Sequence, residues 1–208
     1  MPEKVSDLWP DASPRGRSDV VWNFMIAELD SDRWGPRLRP HIGPELTIKL
    51  ESGKPATLSD EDATQLERLL LAHRSGFVRP LLVDSAVWFE ATLEADRFPN
   101  LRIAGEQDFI RRAPSRKLIE FARRTDLREP EIADFDLAYA QLRANFMPAK
   151  MHGLPILVSP ALSDPLTIAE GTSRLTCMMS KILDRTLRLD STSVLIGVDP
   201  GFKSWHWL

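Results

Sequence analysis

Cysteine occurs once in these 208 residues, at Cys177, so no internal disulfide can form and a thiolate-based structural zinc site lacks its ligands. Net charge is also scarce. Against 30 Asp and Glu stand 27 Lys and Arg, a formal −3, which supplies no global positive field to draw the chain onto nucleic acid or an anionic membrane. No apolar run approaches about 18 residues and no charged-then-apolar leader opens the chain, so a cytoplasmic protein without membrane contact is expected. What remains is an ordinary globular composition, 43% hydrophobic, long enough for one generous domain or two small ones. Cys177 lies inside an apolar helical pattern and reads as core filler rather than as a reactive thiol.

Local patterns divide the chain unequally. Residues 1–17 hold Pro2, Pro10, Pro14 and Gly16 among polar neighbours and read as a flexible lead-in, with Trp9 as the exception. Val21, Trp22, Met25, Ile26 and Leu29 recur at helical spacing behind Ser18, giving an amphipathic helix that stops before Gly35-Pro36. Glu28, Asp30 and Asp32 at its end read as a solvated turn rather than a metal site. Leu46 to Leu50 alternates apolar and polar residues, and Gly53-Lys54-Pro55 follows, the pattern of a half-buried strand. Ser59 and Asp62 form a capping-box pattern opening a helix through Leu66, Leu70 and His73, where the imidazole complements the helix dipole. Val87, Trp88, Ala91 and Leu93 are read as a helix over 84–94. Residues 18–104 thus form a helix-rich N-terminal part.

After a weak stretch near 104–114, Leu118, Ile119, Phe121 and Ala122 mark one helix, and Pro130 at a first-turn position opens another reaching Phe146. Arg111, Arg112, Arg116, Lys117, Arg123 and Arg124 are solvated helix faces, with nucleic-acid contact at Arg112 and Arg124 as the lesser reading. Six tryptophans leave room for an aromatic homo-oligomer interface, whereas Trp205 and Trp207, beside His206, read as a plug that packs the tail onto the core.

The most informative stretch is the C-terminal one. Pro155 to Ser159 is an apolar strand; Leu166 to Glu170 leads into Gly171, Thr172 and Ser173; and Leu175, Met178, Met179, Ile182 and Leu183 continue at helical spacing. Thr172 and Ser173 are the expected N-caps, and Gly171 permits backbone to approach a ligand closely. A helix opening there aims free N–H groups and its positive end above Gly171, with Arg174 and Lys181 on or near the first two turns. The last strand, Ser193 to Val198, completes a strand, helix, strand succession. Lys150, His152, Asp164 and Asp199 flank these strands in loops, as secondary candidates for an enzyme and as ordinary turn residues otherwise.

Leu154-Pro155-Ile156-Leu157-Val158, Ile168-Ala169-Glu170-Gly171-Thr172-Ser173-Arg174-Leu175 and Val194-Leu195-Ile196-Gly197-Val198, with a tryptophan-containing tail, resemble the ParB/sulfiredoxin-like superfamily. The resemblance implies an α+β protein with a helical N-terminal part packed on a compact ParB/sulfiredoxin-like domain at 105–208. It also implies a phosphate or nucleotide pocket at the acidic-Gly-x-x-Arg element. Glu170 matches the acidic, catalytic position, Gly171 the turn, and Arg174 the phosphate-neutralising residue; with Thr172 and Ser173 they form the expected ligand site. Thr172 and Ser173 stand where many relatives have His or Arg, and hydroxyls bind phosphate but do not replace an imidazole base. The implied ligand is a nucleoside triphosphate with magnesium, and the implied activity a nucleotide-dependent hydrolase, phosphotransferase or nuclease. Two alternatives stay open. The protein is a non-enzymatic regulatory or interaction module of a partition, mobile-element or defence system, or Glu170 and Arg174 simply pair across one helical turn while Gly171 permits the bend.

Overall fold

The computed structural model describes residues 4–31, 34–52, 58–146 and 153–205. Lys150, His152, Asp32, the turn at Gly53 to Pro55, His206 and Trp207 lie outside them. Helix α1 (Val5–Leu8) and strand β1 (Ser13–Arg15) come first, so the flexible lead-in is corrected over its described part. Trp9 is the reason: it is buried against Phe89, with Arg97 stacked on its other side, and the Asp11 carboxylate accepts the Thr92 N–H just beyond the end of β1. Pro14 has no N–H to lose at a sheet edge.

Helix α2 (Arg17–Leu29) forms where the apolar period placed it, and α3 (Gly35–Leu38) follows at the Gly-Pro break. The strand read over Leu46 to Leu50 is corrected to helix α4 (Pro44–Glu51). Alternation over five residues also satisfies an i, i+4 pair, and here Leu46 and Leu50 are buried together while Ile48 is exposed. Pro44 at the first helical position was the overlooked sign. Helix α5 (Asp60–Val78) starts from the capping box as expected: the Asp62 N–H donates to the Ser59 hydroxyl and the Ser59 N–H to the Asp62 carboxylate. It kinks at Arg74.

The helix read over 84–94 is corrected to strand β2 (Val87–Glu94), whose aromatic and β-branched side chains suit a pleated surface. Helices α6 (Gln107–Arg112), α7 (Leu118–Leu127) and α8 (Ala133–Asn145) follow; Pro130 precedes α8 rather than opening it. Then come β3 (Ile156–Ser159), β4 (Thr167–Glu170), α9 (Thr172–Leu183) and β5 (Ser191–Val198).

One mixed sheet in the order β1-β2-β5-β3-β4 organises this α+β fold, and strands from both sides of residue 104 belong to it. β3 and β4 form an antiparallel pair, and α9 returns the chain so that β5 lies parallel to β3 and antiparallel to β2. Alternation along β3 and β5 splits the core in two. Ile156, Val158 and Leu195 face α2, α4 and α5; Leu157, Val194 and Ile196 face α7, α8 and α9. Gly197 lies under the Trp88 indole, so close that a Cβ there would sit 2.5 Å from the ring. Trp9, Trp22, Trp88 and Trp205 are all buried, so these tryptophans serve the core rather than an aromatic interface, and Trp205 packs 5.3 Å from Phe77 as the expected plug.

Candidate functional site

Helix α9 runs between two polar clusters. At its start, Gly171 adopts φ 91° and is itself the N-cap, which corrects the expectation that Thr172 or Ser173 caps the helix. Those two occupy the first helical positions. An αL residue is needed here because β4 must turn into the helix hard against Pro155: a Cβ on Gly171 would lie 3.2 Å from the Pro155 Cβ. Among the described residues no side chain caps the helix, which leaves its first N–H groups without a side-chain acceptor there.

Arg174 folds back over this turn. Its Nη2 pairs with the Glu170 carboxylate, and its Nη1 donates to the Gly153 carbonyl at 2.9 Å. Both side chains are largely buried, 13% and 18% exposed. The loop it grips is tied in turn to the N-terminal part, because the Asn23 side-chain oxygen accepts the Leu154 N–H at 2.7 Å. Gly153, at φ 70°, presses on Asn23 and Ile26 of α2. Glu170, Gly171, Thr172, Ser173 and Arg174 are therefore brought together. Asp199 is not part of this cluster: it is buried beyond the end of β5, where its carboxylate accepts the Gly201 N–H at 2.6 Å, the turn role. Asp164 lies in the β3–β4 loop, where its main chain, not its side chain, makes the turn: its N–H donates to the Ala161 carbonyl and its carbonyl accepts from the Ser159 hydroxyl.

Lys181 lies in the last turn of α9, not near its start. There α7, α8 and α9 converge on a network that sequence reading missed. The Arg143 guanidinium donates to Asp126, to the Tyr139 hydroxyl at 2.8 Å, to Ser180 and to Asp184 at 2.6 Å. Tyr139 and Ser180 both donate to Asp126 as well. Burial, helped by the neighbouring Asp126 charge, pushes the Tyr139 phenol up to about 12, which keeps it a proton donor. Cys177, beneath, is fully buried and its thiol is pushed up to about 11 by burial, so it stays protonated, as core filler should. The available signal was periodic: Tyr139 with Arg143 and Ser180 with Asp184 are both i, i+4 pairs.

Of the Arg-rich stretch, Arg111, Lys117, Arg123 and Arg124 are exposed on helix faces or loops, Arg116 is half-buried, and Arg112 departs from the expectation. Arg112 is completely buried, bonded to the Pro130 carbonyl, the Thr125 hydroxyl and both oxygens of Asp136, so it is no solvated face and the reading of nucleic-acid contact there is corrected. Arg111 pairs with Asp108, Arg116 donates to the Ile103 carbonyl, and Arg124 lies 3.6 Å from Glu120. Among the described residues, no group of three or more His, Cys, Asp or Glu side chains is placed to hold a metal ion, and no helix is long and apolar enough to cross a membrane. The chain matches no family model, no curated protein and no solved structure.

Proposed function

We propose that this protein binds a phosphorylated ligand, nucleotide or phosphate, at the Gly171 turn, in the manner its ParB/sulfiredoxin-like resemblance implies. The observation that carries the reading is the place of Arg174: its Nη2 lies 3.3 Å from where a Cβ of Gly171 would be, so a guanidinium covers a bare turn at the head of a 12-residue helix. N–H groups at a helix start, the helix dipole and a fork-shaped cation are the three elements that hold phosphate oxygens. An incoming phosphate takes the place of Glu170 on Arg174 while Thr172 and Ser173 supply amides and hydroxyls. Glu170, released, is placed to hold a water or a substrate hydroxyl, which is where hydrolysis or transfer would begin. It is also the sole carboxylate between 165 and 183, so magnesium fits there as an ion carried in on the phosphates, where it would neutralise their charge. The reading carries a cytoplasmic location with it.

The bonds from Arg174 to Glu170 and Gly153 favour a second reading, in which the pair is a strap between α9 and the loop on α2. The protein is then a non-enzymatic regulatory or interaction module. A thermal-shift screen against ATP, ADP, CTP, GTP and inorganic phosphate, each with and without magnesium, separates the two. A ligand-dependent rise in Tm that disappears in Arg174→Ala supports the binding site. Loss of stability in Arg174→Ala with no response to any of these ligands in the parent supports the strap.

A further inference from the structure

At the opposite end of α9 lies a shallow, open cleft of about 540 Å³. It is open because α8 presents only the methyl groups of Ala140 and Ala144 where a larger side chain would close the helix pair. Its wall is preorganised: Arg143 is fixed by Asp126, Tyr139, Ser180 and Asp184, and Asp136 is fixed by the buried Arg112 behind it. Arg128 and Lys181 also line it, and neither has a hydrogen-bonding or ion-pairing side-chain partner among the described residues. Arg128 holds φ 54° as the left-handed cap that ends α7, its N–H donating to the Thr125 and Arg124 carbonyls, which turns its side chain off the helix end. Across the wall and directly behind it, the cations Arg112, Arg128, Arg143 and Lys181 outnumber the carboxylates Asp126, Asp136 and Asp184 by one. The cleft therefore carries one uncompensated positive charge beside an apolar floor.

We propose that this cleft binds a small organic acid with a single carboxylate, received by Arg128 and Lys181, its apolar body lying on Ala140 and Ala144. The phosphate expected at the Gly171 turn is a different chemistry at the other end of the helix, so the two sites fail or succeed separately. One unit of excess charge matches a monoanion.

The test is titration of the isotope-labelled full chain with benzoate, followed by amide NMR. The expected result is saturable movement of the Ala140, Ala144 and Lys181 amides, absent with the neutral isostere benzamide. An Arg128→Gln/Lys181→Gln double variant is expected to weaken binding by about tenfold or more. Ala140→Leu, which fills the cleft and leaves both cations, is expected to do the same, while Arg174→Ala leaves benzoate binding intact. The proposal is overturned if those amides do not move, if benzamide moves them equally, if inorganic phosphate displaces benzoate at lower concentration, or if both cleft variants bind like the parent.

Discussion

The two ends of α9 are both built around an arginine, yet one is closed and the other open. Arg174 has its guanidinium pressed between Glu170, the Gly153 carbonyl and the Gly171 turn, with 13% of the side chain exposed. Arg143 is bonded to Asp126, Tyr139, Ser180 and Asp184 and still leaves 30% exposed, with the small side chains of Ala140 and Ala144 lining the opening on α8. Hydrogen-bond satisfaction therefore does not decide accessibility; the size of the neighbouring side chains does. A ligand at the Gly171 end must compete with Glu170 for its cation, whereas a ligand at the Lys181 end meets two cations that have no hydrogen bond or salt bridge among the described residues, although their charges act on Asp136 and Asp184.

The sharpest way to disturb this contrast is through the buried support of the open end. Arg112→Ala takes from the largely buried Asp136 its guanidinium partner, leaving it the Ile132 N–H, and is expected to cost about 3–5 kcal/mol in urea unfolding; replacement of both partners by apolar residues should recover much of it. At the closed end, Arg174→Ala is expected to cost about 1–3 kcal/mol by the same measurement, for the lost bonds to Glu170 and Gly153. Equal costs for Arg112→Ala and Arg174→Ala would erase the distinction between a sealed support and a strap. Arg128→Gly works in the other direction. It relieves a left-handed residue at the end of α7 and is expected to raise stability by about 1 kcal/mol while weakening benzoate.

Acid acts on the open end with a definite sign. Burial pushes the Asp136 carboxyl up, but the bonds from Arg112 and the Ile132 N–H, with the charges of Arg112 and Arg128, hold it below its ordinary value. Asp184 is held low chiefly by the Thr186 hydroxyl and N–H, then by Arg143 and Lys181, against a rise from burial. A carboxyl depressed by folding stabilises the native state above its unfolded pKa of about 4, and that contribution disappears as pH falls through the folded value. Urea midpoints are therefore expected to fall below about pH 4, and Asp184→Asn to flatten that slope. An unchanged slope in Asp184→Asn would remove Asp184 from the acid response.

Several elements were legible in the chain because their signals are local. The capping box at Ser59 and Asp62 and the apolar period of α2 rest on contacts within a few residues, while the strands around Leu157 and Ile196 and the Gly171 bend showed through residue type, as apolar runs and a glycine before a helical period. The errors fell where two periods fit equally well. Leu46 to Leu50 satisfies both alternation and i, i+4, and 84–94 carried apolar residues that packing on β5 and β1 turned into a strand. Of the candidate site, Glu170 to Arg174 was visible as a cluster because one helical turn joins it. The network of Asp126, Tyr139, Arg143 and Ser180 was not, since Asp126 and Ser180 are 54 residues apart and meet only when α7 packs on α9.

Residue type and spacing alone were enough to place helices α2, α5 and α9, to bury Cys177, and to open α9 at a glycine with an arginine three residues on. Each depends on residue type and short-range geometry. Only the tertiary structure decided that Arg112 is sealed inside, that Arg174 is spent on Glu170 and Gly153, and that Arg128 and Lys181 stand over an open cleft. Whether a charge is buried, paired or available depends on which distant side chains pack beside it, and for α9 that was settled by the proline at 155 and the alanines at 140 and 144.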